Sequence, residues 1–124
     1  MTTLLALYRR PEGGRDGLAE FERRYLAEHL PLVARTPGLR STRVQRVSEA
    51  LGGETDLVLI TTMTFDDRAS LDAGLASDAM RAAGRTLRDI APGLATLLIL
   101  EEADDIADHM ADEVTNHRTG DSPR

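Results

Sequence analysis

The chain has 124 residues, a length that suits one domain, and no cysteine, which excludes disulfide frameworks, thiolate metal sites and cysteine nucleophiles. Its 15 basic residues are all arginine and its net charge is -6, so nucleic acid is not the expected partner; without tryptophan, and with Tyr8, Phe21, Tyr25 and Phe65 as its aromatic residues, it offers no stacking platform for bases. No apolar run approaches the ~20 residues of a membrane span, and "MTTLLALYRRPEGG" lacks the basic lead and small-residue cleavage site of a signal peptide, so the expectation is a soluble cytoplasmic protein.

In chain order, "TTLLALYRR" (2–10) is apolar on both alternating faces, Leu4/Ala6/Tyr8 and Leu5/Leu7, which predicts a strand covered on both sides. The Gly- and Pro-rich "PEGGRDG" (11–17) reads as a loop. A helix is expected from about residue 16 to 36, with Asp16 as N-cap, stopped by Pro37-Gly38. "LRSTRVQRVSEAL" (39–51) suits a half-exposed strand, Gly52-Gly53 the turn of a hairpin, and "DLVLITTMTF" (56–65) a strong returning strand. Asp66 or Asp67 can cap a helix through Leu71 and Leu75, and Ser77 a second helical piece holding Met80, Leu87 and Ile90. Pro92-Gly93 stops that piece before a last strand, "LATLLILEE" (94–102).

The order is βαββαβ, the ferredoxin-like plan of α+β class: a four-stranded antiparallel sheet with its helices on one face. The other face has no cover within the chain. Leu5, Leu7, Val58 and Ile60, or their alternates, would lie open there, and an exposed apolar face of that size predicts a homodimer packed sheet to sheet.

The tail from Glu101 onward is acidic, and residues 103–124 are expected to lie outside the domain of residues 1–102. Ala103, Ile106, Ala107, Met110 and Val114 predict a narrow apolar stripe on an acidic helix, followed by irregular chain. Asp105, His109, Glu113 and His117 repeat every four residues and would form one ridge, a spacing that can bind a divalent metal. A solvated face is the ordinary explanation, and no metal is assigned.

One stretch raises a question. "RRYLAEHLPLVARTPGLR" (23–40) holds His29 two positions before Pro31, in the middle of a core-facing helix. At about 100° per residue, Leu18, Phe21, Tyr25, His29 and Leu32 fall within an arc of roughly 80°, with Val33 at its margin and Pro31 on the far side. Pro31 cannot donate to the carbonyl of Ala27, so a kink near 27–31 is expected, opening a gap beside His29. His29 is then either a core histidine satisfied by a backbone carbonyl or a tyrosine hydroxyl, or a pocket residue acting as general acid or base. Tyr8 and Tyr25 are candidates to orient it, and Phe21, Leu32, Thr62 and Arg9 candidates to bind a substrate. Thr61, Thr62 and Thr64 are polar in an otherwise apolar strand, and one parity of them faces the helices. No Gly-rich phosphate loop, G-x-S-x-G or H-E-x-x-H occurs.

"LLALYRRPE", "FERRYLAEHLPLVARTPGLR" and "LVLITTMTFDDRASLDAGLASDAM", in that order over about residues 3–101, resemble the EthD-like family of the dimeric α/β-barrel superfamily. The E-H-x-P-L element is Glu28, His29, Pro31 and Leu32, and the family's motif histidine falls on His29. The resemblance implies a ferredoxin-like protomer that dimerises through its sheet, and a superfamily of cofactor-free monooxygenases, isomerases, decarboxylases and polyketide cyclases. Their substrates are mostly small apolar or aromatic molecules held between sheet and helices. The lack of tryptophan disfavours the branches that depend on one, and the lack of lysine excludes a Schiff base. The expectation is a small cofactor-independent enzyme using His29, with Tyr25 and Tyr8, to move a proton on an apolar, oxygenated small molecule of aromatic or polyketide-like kind, in an isomerisation, cyclisation, decarboxylation or oxygenation. The alternative is a non-catalytic ligand-binding or assembly module whose acidic tail engages a partner.

Overall fold

The computed structural model of the protein describes residues 1–106. Four strands form one antiparallel sheet: β1 (Thr2–Arg9), β2 (Leu39–Arg46), β3 (Leu57–Phe65) and β4 (Ala95–Leu100), in the order β2-β3-β1-β4. The helical chain between β1 and β2 comprises α1 (Gly14–Arg24), a π-helical turn (Tyr25–His29) and α2 (Leu30–Val33); between β3 and β4 it comprises α3 (Arg68–Leu75) and α4 (Asp78–Ile90). This is the expected ferredoxin-like α+β fold, with β1 and β3 in the centre of the sheet.

Alternation along β1 is strict. Thr2, Leu4, Ala6 and Tyr8 are buried under the helices, while Thr3, Leu5, Leu7 and Arg9 on the opposite face are half-buried. Register carries that parity outward: Leu5 lies opposite Thr62 on β3 and Leu98 on β4, and Leu7 opposite Ile60 and Thr96. Leu5, Leu7, Ile60, Leu98 and Leu100 therefore share the face without helices, where Leu98 and Leu100 are each 41% exposed. Val58, expected beside them, is buried instead, because the β1–β3 register shifts between Tyr8 and Arg9 and takes Val58 out of the alternation.

Local signals hold at the second helical layer. Asp67 caps α3 by accepting from the Ser70 amide at 2.8 Å, and Ser77 caps α4 by accepting from the Met80 amide at 3.2 Å. Two boundaries differ from expectation. The first helix begins at Gly14 with Gly13 at the cap position, not Asp16, because Gly13 (φ +96°) and Gly14 (φ +62°) turn the chain through left-handed conformations open to glycine. The strand expected over 39–51 ends at Arg46, and residues 47–56 form the connection that contains Gly52-Gly53.

The expected kink at Pro31 takes a defined form. The Leu30 amide donates to the Tyr25 carbonyl, an i→i+5 bond that closes one wide π turn just before the proline. Phe21, Tyr25, His29 and Val33 are all buried. Residues spaced by four overshoot an α-helical turn by ~40° at each step. The wide turn takes up that drift, so Val33 holds the core position that the regular wheel assigns to Leu32, which is only partly buried. Among the described residues no helix is long and apolar enough to cross a membrane. Met110, Val114 and the rest of the expected tail helix beyond Ile106 lie outside the described residues, as do His109, Glu113 and His117 of the candidate metal ridge.

Candidate active site

A cavity of about 380 Å³ opens between the sheet and the helices. Its floor is Leu4, Ala6 and Tyr8 of β1 with Met63 of β3, His29 and Val33 form one side, and α4 closes the other with Met80, Arg81, Gly84, Arg85, Leu87 and Arg88. The volume is in the range of small-molecule sites, and the lining is apolar with few polar groups, as such sites require.

His29 is 5% exposed, and its ring is fixed from two directions. Nδ1 lies 3.0 Å from the carbonyl oxygen of Ala83 in α4. A carbonyl only accepts, so Nδ1 carries the proton and Nε2 keeps its lone pair. The Tyr25 ring stacks against the imidazole, with centroids 4.9 Å apart and planes 32° from parallel. Among the described residues Nε2 makes no hydrogen bond, and the sealed-off side-chain polar atom without a partner is Thr36 Oγ1, not Nε2. Nε2 is thus left to the cavity. Burial pushes the His29 pKa below its ordinary value against the opposing pull of the Ala83 carbonyl, which keeps the ring neutral and able to accept a proton at pH 7.

The tyrosines form a second fixed group. Tyr25 donates its hydroxyl proton to Tyr8 Oη at 3.0 Å and lies 2.5 Å from Thr61 Oγ1. With its own proton given to Tyr8, Tyr25 accepts from Thr61. The chain runs Thr61 to Tyr25 to Tyr8, and among the described residues the Tyr8 proton has no acceptor. Burial pushes both phenols upward, Tyr8 far above the ordinary tyrosine value, so both stay protonated. Phe21 buttresses the pair, with ring centroids 5.8 Å from Tyr8 and 5.7 Å from Tyr25.

The structure thus brings His29, Tyr25 and Tyr8 into one contiguous cluster, and His29 and Tyr8 onto the cavity wall. The four candidate substrate-binding residues do not line it. Phe21 sits behind the tyrosines. Leu32 is displaced by the π turn in favour of Val33. Thr62 has the wrong parity: it lies on the open face opposite Leu5 and Arg43, and Thr61 faces the helices. Arg9 shares the parity of Leu7 and is engaged by Thr96 Oγ1 at 3.1 Å and by the Gly93 carbonyl. What the sequence reading missed lies on α4: the Ala83 carbonyl and the arginines at 81, 85 and 88. Their spacing of four and three on an amphipathic helix is a legible signal, but not of which neighbour the face meets.

The sheet order and the helical layer on one face define the ferredoxin-like class, a fold shared with several proteins described as dimeric. The EthD domain model matches residues 17–93, and the chain belongs to the EthD family. It is 35% identical to an ethyl tert-butyl ether D (EthD) family protein from Bacillus halodurans, with a TM-score of 0.73 over 82% of this chain and 98% of that one. A dimeric ferredoxin-like protein of unknown function from Jannaschia sp. shares the fold at 20% identity and a TM-score of 0.61, over 82% and 100% of the two chains. So does SnoaB, a cofactor-independent oxygenase from Streptomyces nogalater, at 19% identity and a TM-score of 0.55, over 82% and 91%. No curated protein matches the chain.

Proposed function

We propose that this protein is a small cofactor-independent enzyme that moves a proton on an apolar, oxygen-bearing small molecule. The observation that carries the reading is the His29 ring, held by its Nδ1 proton on the Ala83 carbonyl so that a neutral Nε2 meets an apolar cavity. His29 Nε2 takes a proton from a carbon next to a substrate carbonyl. The Tyr8 hydroxyl donates to the carbonyl oxygen as negative charge gathers there, and the proton returns from His29 to the same or another carbon. Tyr25 orients both partners, stacked on His29 and bonded to Tyr8. Isomerisation, cyclisation and decarboxylation all pass through such an enolate, and SnoaB supports cofactor-free oxygenation as a further outcome on this fold. The unit of function is a homodimer joined through the open face at Leu5, Leu7, Ile60, Leu98 and Leu100, as the dimeric relatives suggest.

The test needs no knowledge of the product. A panel of apolar ketones is incubated with the protein in D₂O, and deuterium uptake beside the carbonyl is read by mass spectrometry. Uptake should fall by ~10²–10⁴ in His29→Ala, with the dimer intact by native mass spectrometry. Undiminished uptake in that variant removes His29 from the mechanism. Ketones that bind the native protein without exchanging would favour a ligand-holding module.

A further inference from the structure

The proton chemistry draws on α4 through the Ala83 carbonyl alone and leaves the arginines of that helix without a role. That helix carries Arg81, Arg85 and Arg88 at spacings of four and three, so they share a face, and all three line the cavity beside Met80 and Leu87. Each is exposed. Among the described residues none of them pairs with a carboxylate; Arg10, Arg15, Arg35 and Arg43 do not either, but those do not line the cavity. Asp89, next to Arg88 in the chain, is held instead by Arg24 at 2.8 Å. The helix thus keeps three guanidinium groups, none held by a carboxylate among the described residues, together at the rim of an apolar chamber.

The matching ligand has the same division: an apolar body for Leu4, Val33, Met63 and Leu87, and an anionic head at the rim. Guanidinium presents paired donors in a rigid fork that fits the two oxygens of a carboxylate. Gly84 lies between these arginines, and a Cβ there would meet nothing within 4 Å, so the rim stays open to a head group. We infer that Arg81, Arg85 and Arg88 select an apolar small molecule bearing a carboxylate, making the substrate class of the site an amphipathic acid. This rests on the cavity being the active site.

The test compares 2-naphthoate with 2-naphthalenemethanol, which share the ring system and differ in charge. The chain has no tryptophan, so naphthyl emission is read without that background. The carboxylate should bind at least ~10-fold more tightly to the native protein, the scale of one charge-assisted hydrogen bond. In R81Q/R85Q/R88Q the preference should fall to about twofold or less, with the alcohol bound as before and the melting temperature held. Arg85→Glu should weaken the carboxylate alone. Equal binding of both probes by the native protein, or a preference that survives in the triple variant, overturns the arginine inference and leaves the cavity reading standing. Binding of neither probe overturns both.

Discussion

The two sides of the cavity are built on opposite plans. On the side of the first helix the polar side chains of the site are held in place by partners: Thr61, Tyr25 and Tyr8 share hydroxyls, and His29 is tied to Ala83 and stacked on Tyr25. On the α4 side the polar groups are exposed arginines with no ion pair among the described residues, around a glycine with open space beside it. Proton transfer is sensitive to fractions of an ångström, so its groups sit where packing leaves one rotamer. Recognition of a charged head tolerates movement, and long side chains at a rim supply it. The contrast assigns chemistry to the rigid side and selection to the adaptable one.

The contrast can be broken on the rigid side first. Tyr25→Phe removes the hydroxyl that joins Thr61 to Tyr8 and leaves Thr61 Oγ1, fully buried, without its partner. A loss of ~1–3 kcal/mol in urea unfolding is expected, and a loss under ~0.5 kcal/mol would show that the chain of hydroxyls does not hold the core. Gly84→Ala probes the other side with the opposite sign. The position is helical and open, so alanine should stabilise by ~0.5–1 kcal/mol through the helix backbone alone. Destabilisation there would mean that α4 is as tightly packed as its counterpart.

Titration gives a third comparison. Burial holds the His29 pKa below its unfolded value near 6.5, so the unfolded chain binds the proton more readily. The contribution of His29 is complete above pH ~6.5 and declines as the pH falls through that value toward the lower folded pKa. The stability difference between the native protein and His29→Gln should therefore shift against the native protein between pH 7.5 and 5.5. An unchanged difference would mean that the ring is solvated rather than buried.

Much of this was legible in particular residues. The apolar runs at 2–9 and 57–65, the caps at Asp67 and Ser77 and the stops at Pro37-Gly38 and Pro92-Gly93 are local signals, and each marks its element to within a few residues. The core-facing placement of Tyr25 and His29 followed from a spacing of four on one helix. Thr62 and Leu32 did not follow. Thr61 and Thr62 are equivalent until pairing with Leu5 and Ala6 sets the parity, and Leu32 yields to Val33 only through the π turn, a departure from regular periodicity that the presence of Pro31 suggests without defining.

By itself the sequence determined the order of strands and helices, the plan of one sheet with one helical layer, and a histidine turned toward the core, because periodicity, caps and breakers act over a few residues. The tertiary structure alone decided that Ala83, 54 residues away, fixes the tautomer of His29, that Thr61 rather than Thr62 joins the tyrosines, and that three arginines of α4 stand at the cavity rim. Those outcomes depend on register and helix packing, where residues distant in the chain meet, and no local pattern encodes which of them do.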